Sequence, residues 1–124
     1  MTSTPEDVIE SVAKGLGAGD IDRVISLYEP EATFAPRPGQ SIRGAEAIRH
    51  ALAAFVALQP RMTGQIEKVL VAGDTALVCN RWTLSGRQPD GTAVAMGGTS
   101  ADVLRRGDDG RWRILIDDPW GAGG

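Results

Sequence analysis

The sequence predicts an α+β domain in which a curved antiparallel sheet wraps three N-terminal helices. Three observations predict it. Helical spacing of apolar residues fills the first half of the chain. From Met62 onward the period drops to about two, in four runs separated by Gly- and Asp-rich turns. Helices grouped ahead of a meander mean α+β, not alternating α/β.

The first helix starts at Thr4-Pro5-Glu6-Asp7, where Thr4 can cap, Pro5 suits the first helical position and the acids suit the positive end of the dipole. Val8, Ile9, Val12, Ala13 and Leu16 form its stripe. Gly15, Gly17 and Gly19 weaken and end it. Asp20 caps a second helix carrying Ile21, Val24, Ile25 and Tyr28, with Pro30 as its stop. Residues 32–35 read as a short strand and Pro36-Arg-Pro-Gly39 as a turn. Ser41 to Gly44 leads into a third helix, about Ala45 to Leu58, with Ile48, Leu52 and Phe55 on one face.

Four strands follow, about 62–72, 75–86, 92–106 and 111–118. Gly97-Gly98 inside the longest strand predicts a bulge or strong bend, which would curl the sheet. Three helices inside a bent sheet leave a conical cavity. The outer face keeps apolar positions to cover, so a homodimer through that face is expected.

Length and composition suit one domain over residues 1–124, with 42% apolar residues and a net charge of −3. Its Arg residues are scattered among acids, which argues against nucleic acid. No apolar run reaches the roughly 18 residues of a membrane span. Cys79 is the only cysteine and His50 the only histidine. An intrachain disulfide is excluded, a zinc site of the usual kind is not expected, and the cytosol is the expected compartment. No phosphate loop opens a helix, and no cofactor is implied.

The candidate chemistry lies in the last strands. Asp102 and Asp117 interrupt strands that are otherwise apolar or long-chained. Asp102 is either a pocket acid with a proton to donate or a strand acid paired with an Arg. Alternation sends Asp117 and Asp118 to opposite faces, so only one enters the cavity. Were Asp102 and Asp117 both inward on neighbouring strands, they could share a proton. Asn80 and Trp82 share a face: Asn80 could bind a carbonyl, and Trp82 is either cavity wall or plain core. Tyr28, Phe34, Val12 and Leu16 are expected along the wall, and Trp120 at the cavity mouth or the dimer seam. His50 reads as a surface residue, Cys79 as an inert buried thiol and Arg81 as a partner for an acid. Asp108 and Asp109 read as turn residues.

Three segments carry a resemblance that spans nearly the whole chain: Gly17 to Thr33, Arg43-Gly-Ala-Glu-Ala-Ile-Arg49, and Asp102-Val-Leu-Arg-Arg with Asp109-Gly-Arg-Trp-Arg-Ile. They resemble the superfamily of cone-shaped α+β domains typified by nuclear transport factor two, the ketosteroid isomerases and the SnoaL-like polyketide cyclases. Arg81-Trp82 and Ile116-Asp-Asp-Pro-Trp-Gly121 look most like its SnoaL-like bacterial branch. The resemblance implies a cystatin-like roll and a small hydrophobic carbonyl or ring compound in the cone. The isomerase chemistry needs a base, a tyrosine donor and a neutral aspartic acid. At the matching positions stand Pro36, Val12 and Asp102, so ketosteroid isomerisation by that route is not expected. Asp117 is the inward acid that the resemblance favours. The open readings are a cofactor-independent isomerase, cyclase or dehydratase, a small-molecule binder, or a dimeric scaffold with a filled cone.

Overall fold

The computed structural model describes residues 3–121. α1 spans Pro5–Ala18. The Thr4 hydroxyl accepts from the Asp7 N–H at 3.1 Å, and Gly19 closes the helix in the left-handed region at φ 70°. The helix continues through Gly15. A Cβ there would stand 2.5 Å from Val24 Cγ2, so glycine lets the next helix pack against it.

α2 is short, Ile21–Ile25, with Asp20 capping through Arg23 N–H. Tyr28 is therefore not on the second helix. It opens β1, Tyr28–Phe34, and Pro30 lies within that strand instead of stopping a helix. The cause is pairing. Ile114 N–H donates to the Leu27 carbonyl at 2.8 Å, and Tyr28 pairs with Ile114 on the last strand. Pro30 falls in the irregular stretch between Tyr28 and Thr33, where its missing N–H interrupts no ladder bond.

β2 is the two-residue strand Ile42–Arg43, pairing with the end of β1. It is too short to show a period in sequence. α3, Ala45–Val56, buries Ile48 and Leu52. The long strands are β3 Arg61–Ala72, β4 Thr75–Arg87, β5 Ala93–Arg106 and β6 Trp112–Asp118. The order β2-β1-β6-β5-β4-β3 makes one curved, unclosed sheet, parallel only between β1 and β6. The α+β architecture is as the sequence predicts. Val24, Ile48, Val78, Leu104 and Ile114 form the fully buried centre. Each such side chain contributes about 1.5–3 kcal/mol by leaving water.

Gly97 and Gly98 form no bulge: the β4–β5 register runs unbroken from Thr75↔Arg105 to Arg87↔Ala93. These glycines serve close approach. A Cβ on Gly97 would lie 2.8 Å from the Trp82 carbonyl, and one on Gly98 would lie 3.2 Å from the Pro119 carbonyl. The ladder shifts instead at Glu67 and at Leu115. The second shift decides which acid faces inward. Ile114 pairs with buried Leu104, and strict alternation would then send Ile116 and Asp118 inward. Leu115 is an extra residue, so Ile116 pairs with Val103 and Asp117 with Asp102.

The outer face carries an apolar row across four strands. Leu70 pairs with Leu77, Leu77 with Val103, and Val103 with Ile116. Leu70 and Ile116 are well exposed. Cys79 lies on this outer face and is half-buried, which corrects its reading as a buried thiol; alternation opposite inward Val78 and Asn80 puts it there. Among the described residues no helix is long and apolar enough to cross a membrane.

Candidate functional site

The sheet's inner face, α1 and α3 line a partly open cavity of about 70 Å³. Val12 and Leu16 line it from α1, Tyr28 and Phe34 from β1, and Asn80 and Trp82 from β4. Asp102 reaches it from β5, Asp117 from β6, and Trp120 from the turn beyond β6. The structure thus gathers all nine sequence-predicted site residues around one hollow. His50 is exposed and away from it. Arg81 points outward and meets Glu67 at 2.7 Å.

Asp102 and Asp117 are direct cross-strand partners on the same face. Asp102 is 3% exposed, and no basic side chain lines the cavity among the described residues. The reading of Asp102 as an Arg-paired strand acid is therefore excluded. Burial pushes its carboxyl well above the ordinary carboxylate range, and the adjacent Asp117 pushes it further. Asp117 is also raised, first by burial, while hydrogen bonds from Asp102 and Tyr28 pull it part of the way back. Both carboxyls of the pair are thus raised, and burial is the first cause in each.

Tyr28 donates its hydroxyl to Asp117 Oδ2 at 2.5 Å. Burial, then the charge of Asp117, holds this phenol well above its usual value, so it stays a donor. Sequence reasoning placed Tyr28 on a helix, with no role beside the acids. On β1 its hydroxyl reaches the acid pair. Ser100 completes the polar cluster, with Oγ 3.1 Å from Asp102 Oδ2 and 3.3 Å from the Asn80 carbonyl. Sequence reasoning missed Ser100. The signal was its i, i+2 spacing from Asp102, which puts both on one strand face. Gly64 was missed as well: a Cβ there would stand 2.9 Å from Asn80 Oδ1, so glycine leaves that amide its place.

Trp82 donates Nε1–H to the Pro119 carbonyl at 2.7 Å and meets Trp120 edge-on, centroids 5.5 Å apart at 68°. Asp118, turned away from the acid pair, accepts from Trp120 N–H at 3.2 Å and holds that turn. Among the described residues two buried side-chain polar atoms have no partner, Asp102 Oδ1 and Trp120 Nε1. No cluster of metal-ligating side chains occurs among the described residues.

Fold and cavity together define a small cone-shaped α+β domain with a polar floor inside an apolar wall. The sequence profile of the SnoaL-like domain family matches residues 8–114, and the chain belongs to that family. Solved structures share its fold. A ketosteroid isomerase-like protein from Erwinia carotovora atroseptica superposes with a TM-score of 0.77 at 18% identity, over 90% of this chain and 88% of the other. An NTF-2-like protein of unknown function from Shewanella oneidensis gives 0.72 at 17% identity, over 92% and 97%. A protein of unknown function from Mycobacterium tuberculosis gives 0.73 at 21% identity, over 90% and 70%. Among curated proteins none matches the chain.

Proposed function

We propose that the cone binds a small, largely apolar carbonyl or ring compound and that the Asp102–Asp117 pair moves a proton on it. The observation that carries this reading is the pair itself, two acids facing each other with Tyr28 holding one of them. A carboxyl pair sharing a proton offers an acid and a base at one place. In this reading Asp102 donates to the ligand oxygen and Asp117 accepts from an adjacent carbon or hydroxyl. Asn80 orients the carbonyl, and Trp82 and Trp120 enclose the ring. The reaction class is cofactor-independent isomerisation, cyclisation or dehydration.

The cavity size favours a second reading. Its 70 Å³ is well below the roughly 300–1,000 Å³ of a pocket for a drug-sized ligand. A compact ligand bound without turnover fits that volume. One experiment separates the two: incubation with cyclopentanone in heavy water, following α-carbon deuteration by NMR, with thermal shift as the binding readout. Catalysis predicts both deuteration and a thermal shift in the wild type, and loss of both in Asp102→Asn. Binding alone predicts the thermal shift without deuteration. No shift with cyclopentanone or phenol would remove the cavity from ligand binding and leave a filled scaffold.

The row Leu70, Leu77, Val103 and Ile116 supports a second copy of this chain as the partner on the outer face. The single half-buried Cys79 fits the reducing cytosol.

A further inference from the structure

We infer that the cavity selects its ligand by charge: it takes a compact apolar amine as the ammonium ion and turns away a carboxylate of the same shape. The inference rests on the reading of the cone as a ligand cavity. It follows from a census of the polar groups facing the hollow. Three donors are engaged, and a fourth, the neutral Trp120 Nε1–H, has no partner. Tyr28 hydroxyl donates to Asp117, Trp82 Nε1–H to the Pro119 carbonyl, and Ser100 hydroxyl lies between Asp102 and the Asn80 carbonyl. The acceptor side is open. Asp102 is almost wholly buried, lines the cavity, and its Oδ1 has no partner. No Lys, Arg or His lines the cavity among the described residues, so no protein cation balances the two acids.

A ligand that supplies N–H donors and a positive charge answers both needs. An ammonium group can donate to Asp102 Oδ1 and to Asp117 together, and charge-assisted bonds are about twice as strong as neutral ones. The Trp82 and Trp120 rings and the Tyr28 and Phe34 rings surround the same space, and aromatic faces attract a cation. A carboxylate would meet two acids with no cation to offset it, a repulsion the apolar wall strengthens. Binding of the ammonium displaces the shared proton to solvent. The polar groups around the pair are Tyr28 from β1, Asn80 from β4, Ser100 from β5 and the Asp118 backbone N–H from β6, with the outward Asp118 carboxylate next in chain to Asp117; α1 and α3 present only apolar side chains to the cavity.

The test is titration calorimetry at about pH 7 with cyclopentylamine, cyclopentanol, cyclopentanone and cyclopentanecarboxylate, near-isosteric probes of three charges. The amine should bind at least about tenfold more tightly than the alcohol, and the carboxylate should give no heat. Repeating the amine titration in buffers of different ionisation enthalpy should show proton release. Asp102→Asn should bring the amine's affinity down to that of the alcohol or below; Asp117→Asn serves the same purpose if the first variant does not fold. An amine that binds no better than the alcohol, or a carboxylate that binds equally well, overturns the inference while the ketone result still stands for the cavity. Silence from all four probes overturns the cavity reading as well.

Discussion

Two neighbouring cross-strand pairs on the last hairpin invert the usual rule of burial. Asp102 faces Asp117 on the inside, and Val103 faces Ile116 on the outside. The inner acid is 3% exposed and the outer Ile116 is 42% exposed. A sequence optimised only for a stable monomer would exchange them. Acids held in and aliphatics held out show that this hairpin answers to something besides the stability of one chain. On the inner side that is the floor of a cavity. On the outer side it is an apolar strip that lacks a cover.

The inner pair gives the largest expected effect. Replacing Asp102→Leu should stabilise the protein by about 2 kcal/mol near pH 8, because a buried acid facing a second acid is removed. An acid whose folded pKa lies above its unfolded value holds its proton longer when folded. Its contribution is full below the ordinary carboxylate value of 3.8 and is lost as pH rises toward the raised folded value. Wild-type stability should therefore decline as pH rises from about 4, and the Leu variant should decline less. Denaturant melts across that range check this, and identical slopes would break the inner half of the comparison.

The outer pair comes next. Ile116→Lys places a charge in the centre of the apolar row and should weaken self-association at least about tenfold, as read by light scattering across a dilution series. A wild type that stays monomeric at every concentration would leave the row without its proposed partner. The smallest effect sharpens the picture of the inner pair. Tyr28→Phe removes one hydrogen bond to Asp117 and should cost about 1 kcal/mol. The Asp117 carboxyl should then titrate higher in carboxyl NMR, since that bond favours its charged form.

Much of this was legible in the sequence because period and turn chemistry are local. The strand runs 62–72, 75–86, 92–106 and 111–118 agree with β3 to β6 within a residue or so. The cavity lining followed from the same alternation, together with the family resemblance. What failed depends on long-range pairing. Tyr28 looks helical beside Val24 and Ile25, and only its partner Ile114 makes it a strand residue. The Leu115 bulge leaves no mark in its own residues; it exists because Leu104 and Asp102 each need a particular partner. Gly97-Gly98 was legible as unusual, yet glycine's small size was in use there, not its tendency to bulge.

The parallel pairing of β1 with β6 has a consequence for the order of assembly. Tyr28 and Asp117 touch across 89 positions of chain, whereas each hairpin of the meander closes over a short loop. Loop entropy makes nearby partners meet first and distant ones last. The phenol therefore reaches the acids only when the N-terminal segment returns to dock. An N-terminally truncated chain without β1 could own a well-made meander and its acid pair and still lack the phenol that holds Asp117.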